Sequence, residues 1–124
     1  MRFVDANVII QAFTENNDQE RCRKILSGDF VTNTLCLVEA HHSITLIRKD
    51  SVYAAGVIKS LYRGGGTIIS LDRNLIFESC KRLEKYDLSL FDLIHFVTAL
   101  LGNCEVMVSY DKHFDGLDIK RIEP

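Results

Sequence analysis

The sequence lacks the features that define several classes of protein. No apolar run approaches the roughly 20 residues of a membrane-spanning helix, and the N-terminus has no basic and apolar leader, so we expect a cytoplasmic location. The net charge of −2 argues against broad electrostatic binding of nucleic acid, but it permits a nuclease whose acids hold metal ions. No repeat, low-complexity tract or linker interrupts the 124 residues, so we expect a single domain over residues 1–124.

Two common motifs are also incomplete or missing. Three consecutive glycines, residues 64–66, are followed neither by Gly-Lys-Ser/Thr nor by a helix pattern, so they predict a helix stop and a turn, not a phosphate-binding loop. The cysteines form no Cys-x-x-Cys pair, which argues against a zinc site. Their apolar neighbours predict buried free thiols at Cys22, Cys36, Cys80 and Cys104.

The patterns that are present alternate between strands and helices, in the order β-α-α-β-α-α-β-α-α-β-β. This alternation predicts an α/β fold, a three-layer α/β/α sandwich around a central, mainly parallel sheet. Asp72 is predicted to cap a helix over residues 72–86, and the chain is predicted to close with an edge strand over residues 117–122. The side chains predicted to be buried on that helix are Leu75, Ile76, Cys80 and Leu83.

The most informative stretch is residues 89–114, which reads as a helix, a glycine stop, a buried strand and a turn. The helix over residues 90–101 is apolar nearly all round, which predicts packing on every side. Asp92 lies in its first turn, and the strand over residues 106–109 runs directly into Asp111. Because a carboxylate in apolar surroundings is costly unless a cation or hydrogen bonds compensate it, this pair suggests a metal site.

Two further acids have candidate roles beside ordinary structural explanations. Asp5 ends the first strand, where sites collect in open α/β sheets, but it would also serve as a helix N-cap. Glu39 lies on a half-apolar line of the predicted helix over residues 35–48, and a surface glutamate is an equal alternative. Asp92 likewise fits a capping box with Ser89, although that motif prefers glutamate or glutamine.

If these four acids met, they would require a cation. Two like charges about 4 Å apart cost about 4 kcal/mol at an effective dielectric constant near 20. Such a cost is large beside the roughly 5–15 kcal/mol that stabilises a domain. A bound divalent cation removes the conflict, and an all-oxygen ligand set selects hard ions, so we expect Mg2+ or Mn2+.

Four short motifs follow one another along nearly the whole chain. They are Asp5-Ala6-Asn7 after the first strand, Leu37-Val38-Glu39-Ala40, the run from Phe91-Asp92 to Ala99-Leu100, and the run from Val106 through Ser109 and Asp111 to Phe114. Together they resemble the motifs of PIN-domain ribonucleases of the small VapC toxin type. Ala6 departs from that pattern, because a threonine is frequent there.

That resemblance implies a function as well as a fold. It implies a metal-binding acidic cluster supported by Asn7 and Ser109, and endonucleolytic cleavage of RNA by a metal-activated water that leaves a 5′-phosphate and a 3′-hydroxyl. It also implies a cognate antitoxin that inserts a segment over the site, and a frequent homodimer. No membrane partner is expected, because the chain has no apolar run of membrane-spanning length. The implied catalytic and metal-binding residues are Asp5, Glu39, Asp92 and Asp111, of which Asp111 is the most variable in the family.

Three alternatives compete with this interpretation. The first is a non-catalytic interaction module that keeps the fold. The second is a carboxylate-bridged di-iron protein, because Glu39-x-x-His42 and Asp92-x-x-His95 are acid-x-x-His pairs, although such sites use helix bundles. The third is a phosphotransfer receiver, which would need paired acids after the first strand where this chain has only Asp5. Under the nuclease interpretation, we expect His95 to be a hydrogen-bonded neighbour of Asp92.

Overall fold

The computed structural model describes all 124 residues and contains one five-stranded sheet. The strands lie in the order β3-β2-β1-β4-β5, and every neighbouring pair is parallel, which confirms the predicted α/β class with a parallel sheet. The predicted edge strand over residues 117–122 is real but shorter. The strands are β1 (Arg2–Val4), β2 (Phe30–Asn33), β3 (Gly66–Ile69), β4 (Val106–Val108) and β5 (Lys120–Ile122).

Six helices connect the strands, and the predicted order of elements is observed. Asp72 and Ser89 cap helices as predicted, and Asn33 and Asp50 do the same, because each of these side chains accepts a hydrogen bond from the backbone N–H three residues later. None of the helices combines the length and the apolar character needed to cross a membrane. The helices are α1 (Ala6–Ala12), α2 (Gln19–Leu26), α3 (Thr34–Arg48), α4 (Ser51–Leu61), α5 (Arg73–Cys80) and α6 (Leu90–Leu101), with a 3-10 turn at Lys112–Phe114.

Helix α6 occupies the centre of the fold. Seven consecutive residues, from Leu93 to Ala99, are buried, and the helix contacts β1, β2 and β4. Its middle is therefore packed on every side, as its composition predicts. Its ends are not, because Phe91 and Leu101 remain largely exposed. The helix thus presents its first turn, which carries Asp92, at the surface while the rest is fixed in the core.

Helix α5 is where the predicted boundaries are wrong. It ends at Cys80, because the next residues form tighter turns, in which the N–H of Arg82 donates to the carbonyl of Ser79. It packs through a narrow stripe in which Leu75 joins a small cluster with Ile94 and Val97 of α6. The other side chains predicted to be buried there lie off that stripe and are exposed: Ile76, Cys80 and Leu83.

The predictions for the cysteines and for the glycine run are largely confirmed. Three of the four predicted buried thiols are buried and unpaired, and only Cys80 is exposed. The glycine run ends α4 and leads into β3, as predicted. Gly66 also meets a packing requirement, because a Cβ there would lie 2.4 Å from the ring of Phe30 on the neighbouring strand. A side chain at this position would therefore push β2 and β3 apart.

Candidate metal centre

The strand order reverses between β1 and β4, which makes this position the topological switch point of the sheet. Polar side chains lie together there. From β1 the chain builds outward through β2 and β3, and it then returns to place β4 on the other side of β1. The carboxyl ends of β1 and β4 therefore open together into a crevice, the usual ligand position in such sheets. Asp5 directly follows β1, and Ser109 directly follows β4.

A pocket of about 240 Å³ lies at this edge, and all four acids line it. Asp5 comes from the end of β1, Glu39 from α3, Asp92 from the first turn of α6 and Asp111 from the segment after β4. The structure thus brings the four acids to one place, and their role as metal ligands stays a prediction. The remaining lining residues are Ala6, Asn7, Ile10, Ser43, Phe91 and His95.

Asp5 is buried and serves as a helix cap and as a pocket carboxylate at once. Its Oδ1 accepts from the N–H of Ala6 at 2.7 Å, and its Oδ2 accepts from the hydroxyl of Ser109 at 2.6 Å. Burial raises the pKa of Asp5, against the lowering effects of His95, the Ser109 hydroxyl and the Ala6 N–H. The two interpretations of this residue are therefore compatible, because its cap hydrogen bond and its pocket position use the same carboxylate.

Asn7 and Ser109 both contact Asp5, where sequence reasoning places supporting residues. The amide nitrogen of Asn7 donates to Asp5 Oδ2 at 3.3 Å, and its Oδ1 accepts from the N–H of Tyr110 at 3.4 Å. The Ser109 hydroxyl oxygen also accepts from the N–H of Asp111 at 2.9 Å. These bonds tie the end of β1 to the chain after β4, so Asp5 and Asp111 are held in a common frame.

The expectation that His95 pairs with Asp92 is wrong, because the ring bonds Glu39 instead. Its Nε2 lies 2.9 Å from Glu39 Oε1, and its Nδ1 lies 3.0 Å from the amide nitrogen of Asn33. The reason is helical position: Asp92 is in the exposed first turn of α6, whereas His95 falls in the buried run. Burial lowers the pKa of His95, whereas Cys36 as a thiolate, Glu39 and Asp5 would raise it.

The capping box predicted for Asp92 is only half formed. Ser89 Oγ accepts from the Asp92 N–H at 3.1 Å, but the Asp92 carboxylate turns away toward the ring of His113, whose Nδ1 lies 3.2 Å from its Oδ2. The same Nδ1 is 3.3 Å from Asp111 Oδ1, which also accepts from the His113 N–H at 2.9 Å. Sequence reasoning missed His113, whose only signal is its place two residues after Asp111.

The pocket therefore has two parts, which we call the inner half and the outer half. The inner half comprises Asp5, Glu39 and His95, and the outer half comprises Asp92, Asp111 and His113. The potential ligand atoms of the outer half all lie within 4.8 Å of one another, as do those of Asp5, His95 and the buried Cys36. Because Cys36 is enclosed beneath His95, the groups that the pocket can offer to a cation are the carboxylates and, in the outer half, the imidazole of His113.

The structure also bears on the competing interpretations. The central parallel sheet is incompatible with the helix bundle that a carboxylate-bridged di-iron protein requires. His42, the histidine of one acid-x-x-His pair, is exposed and is absent from the residues that line the pocket. The receiver alternative needs paired acids after the first strand, and β1 is followed by Asp5 alone.

Comparisons with known proteins agree with this architecture. The chain is similar to VapC20 of Mycobacterium tuberculosis, described as a sarcin-ricin loop cleaving toxin, with a TM-score of 0.80, 14% identity and full coverage of both chains. It is also similar to a chain in a toxin-antitoxin complex from Klebsiella pneumoniae, with a TM-score of 0.78, 16% identity and coverage of 100% of this chain and 98% of that one.

These identities are low, so the two structures speak for the fold, and no curated protein sequence matches the chain significantly. The family model for the PIN domain, in contrast, matches residues 2–120, almost the entire chain. Together with a parallel sheet that carries four acids at its switch point, this match shows that the chain belongs to the PIN domain family.

Proposed function

We propose that the protein is an endoribonuclease that depends on Mg2+ or Mn2+ and acts as the toxin of a toxin–antitoxin pair. The observation that carries the proposal is the pocket, in which carboxylates from four separate chain segments converge. The names of the two similar structures, a sarcin-ricin loop cleaving toxin and a toxin-antitoxin complex, support the same function. Substrate RNA would be met in the cytoplasm.

The residues fit a hard divalent cation. Four of the groups that line the pocket are carboxylates, which Mg2+ and Mn2+ prefer as ligands. Burial raises the pKa of Asp5 and so disfavours its charge, a cost that a bound cation would offset. Asp5, Asp92 and Asp111 would hold the metal directly, and Glu39 would hold it directly or through water. When bound, the ion would polarise the phosphodiester, lower the pKa of the attacking water and stabilise the leaving oxygen.

The protein's own groups have separate tasks in this proposal. One of the four carboxylates accepts the proton of the attacking water, in the manner of a general base. Ser109 and Asn7 hold Asp5 in place through the hydrogen bonds described above. The exposed ring of Phe91 forms part of the pocket lining, where a base of the RNA can stack on it.

The experiment uses purified protein, RNA and a pair of matched variants. We expect cleavage with Mg2+ or Mn2+, no cleavage in EDTA and at least about 100-fold less cleavage by Asp5→Asn. The control is Asp72→Asn, because Asp72 also follows a strand and caps a helix, yet it is exposed and lies outside this pocket. Cleavage that survives EDTA and Asp5→Asn, or that is lost equally in the control, refutes the assignment.

The proposed partners are a cognate antitoxin and a second copy of the chain. An antitoxin segment inserted over the pocket would block the acids. A co-expressed antitoxin should therefore inhibit cleavage, and its removal should restore cleavage. Light scattering on the purified protein measures the oligomeric state, for which we expect a homodimer. A monomer at micromolar concentration would remove the dimer from the proposal and leave the nuclease assignment intact.

A further inference from the structure

A buried hydrogen-bond chain connects the start of α3 to the pocket. It runs from Asn33, through the ring of His95, to the carboxylate of Glu39. Asn33 is fully buried and His95 is almost so, so water does not supply alternative partners. The direction of each hydrogen bond can therefore be deduced from the groups present.

The orientation of the Asn33 amide is fixed by two independent contacts. Its Oδ1 accepts from the N–H of Cys36 at 2.8 Å, which is the N-cap bond of α3. Its Nδ2 lies 2.8 Å from the hydroxyl of Thr98, and that hydroxyl already donates its only hydrogen to the carbonyl of Ile94. Thr98 can only accept from Asn33, so the group that Asn33 presents to His95 is an N–H donor.

This orientation determines the state of the His95 ring. Because Nδ1 faces a donor at 3.0 Å, it must carry a lone pair, and the ring hydrogen must be on Nε2. Nε2 then donates to Glu39 Oε1 at 2.9 Å. A second proton on Nδ1 would point at the Asn33 amide hydrogens, and the strongest attraction in its favour would require a thiolate at the fully buried Cys36.

We propose that Asn33 is a positioning residue that, through the Nε2–H of His95, aims and anchors the Glu39 carboxylate toward the pocket. The inference rests on the proposed function in one respect, namely that Glu39 helps to hold a cation. One oxygen of Glu39 is held by His95, which leaves the other for the cation or its water.

The first test reads the proton directly. Nitrogen-15 NMR of the histidine side chains, recorded on the metal-free protein at neutral pH, should show His95 with Nε2 protonated and Nδ1 unprotonated. In Asn33→Asp the cap oxygen is kept and the donor becomes a carboxylate, so a proton should appear on Nδ1. A wild-type ring protonated on Nδ1, or no change in Asn33→Asp, overturns the proposal. Asn74→Asp, an exposed asparagine on α5, controls for the added charge.

The second test asks whether the donor to Glu39 matters for metal binding. Calorimetry with Mn2+ should show that His95→Leu binds about 10–100-fold more weakly, as is common when a residue behind a ligand is lost. His95→Gln, which keeps an N–H donor near Nε2, should recover most of that loss. Equal losses in both variants indicate a packing role only and overturn the proposal. If wild type binds no Mn2+, the proposed function fails, while the NMR result still decides the state of His95.

Discussion

The two halves of the pocket carry the same kind of charge in different settings. In the inner half, Asp5 accepts two strong hydrogen bonds and Glu39 is held by a buried ring. In the outer half, Asp92 and Asp111 share one histidine, His113, whose side chain is 71% exposed. Both inner acids therefore have a buried hydrogen-bond partner before any ligand arrives, whereas water can replace the exposed partner of the outer acids.

This difference suggests a division of labour. A fixed carboxylate costs little reorganisation when a cation binds, and such preorganisation is what catalysis at a charged centre requires. Carboxylates whose shared side-chain partner is exposed can move to follow an ion or a phosphodiester, at some cost in side-chain entropy. We therefore expect inner-half changes to alter stability and metal binding together, and outer-half changes to alter activity with little effect on the fold.

The largest expected effect tests the outer half. Asp92→Asn should reduce RNA cleavage at least about 100-fold, because it removes a carboxylate charge from the pocket. Its melting temperature should stay near that of wild type, since the Ser89 cap bond uses the backbone N–H of residue 92. The matched variant Ser89→Ala should do the opposite, losing about 1 kcal/mol of stability while keeping its activity. If Asp92→Asn unfolds the protein, the proposed separation of fold and function in this half is wrong.

The next effect is the response of the whole protein to metal. A ligand that binds only the folded state stabilises it by about 2.7 kcal/mol at a free concentration of 100 times Kd. Thermal unfolding should therefore shift upward with Mn2+, and the shift should disappear in Asp5→Asn. Ca2+ and Zn2+ are useful comparisons for the size of this shift. Ca2+ takes more oxygen ligands at longer distances than Mg2+, and Zn2+ prefers nitrogen and sulfur ligands. An equal shift in Asp5→Asn would place metal binding away from the inner half.

The sequence was sufficient to predict the order of elements and the segments that carry the acids. These features depend on local signals: the apolar run of α6, the cap residues Asp50 and Asp72, and acids placed where strands end. A parallel sheet then brings the strand ends together whatever the details of packing. This is why Asp5 and Asp111, far apart in the chain, could be expected at one edge.

What the sequence could not predict depends on which face of a helix meets which neighbour. The pairing of His95 with Glu39 rather than Asp92 follows from the depth to which α6 is buried, and the role of Asn33 behind His95 follows from the packing of α6 on β2. The early end of α5 and the exposure of Cys80 likewise reflect a narrow contact with α6. The periodicity of apolar residues indicates which face of a helix is apolar. It does not indicate how much of that face a neighbouring element buries.

A smaller effect is expected from His113. Its exposed ring can be replaced by water, so His113→Ala should weaken Mn2+ binding only a few-fold, in contrast to the 10–100-fold typical of a lost buried supporting residue. Calorimetry of this variant beside His95→Leu compares the two histidines directly. If His113→Ala had the larger effect, the outer half would be the better organised of the two and the comparison above would be reversed.

The smallest effect concerns stability without metal, and it follows from the burial of Asp5. Because burial raises the pKa of Asp5 in the folded state, ionisation of this group opposes folding. The cost is absent below the pKa of the unfolded state, near 3.8, and it is complete once the pH exceeds the raised folded pKa.

Asp5→Asn, which keeps an oxygen for the Ala6 N–H, should therefore raise the melting temperature of the metal-free protein slightly at neutral pH. This gain should shrink as the pH falls toward 3.8. If the rise in melting temperature is the same at every pH, it comes from packing. In that case the charge of Asp5 does not destabilise the fold, and a cation has no such cost to relieve.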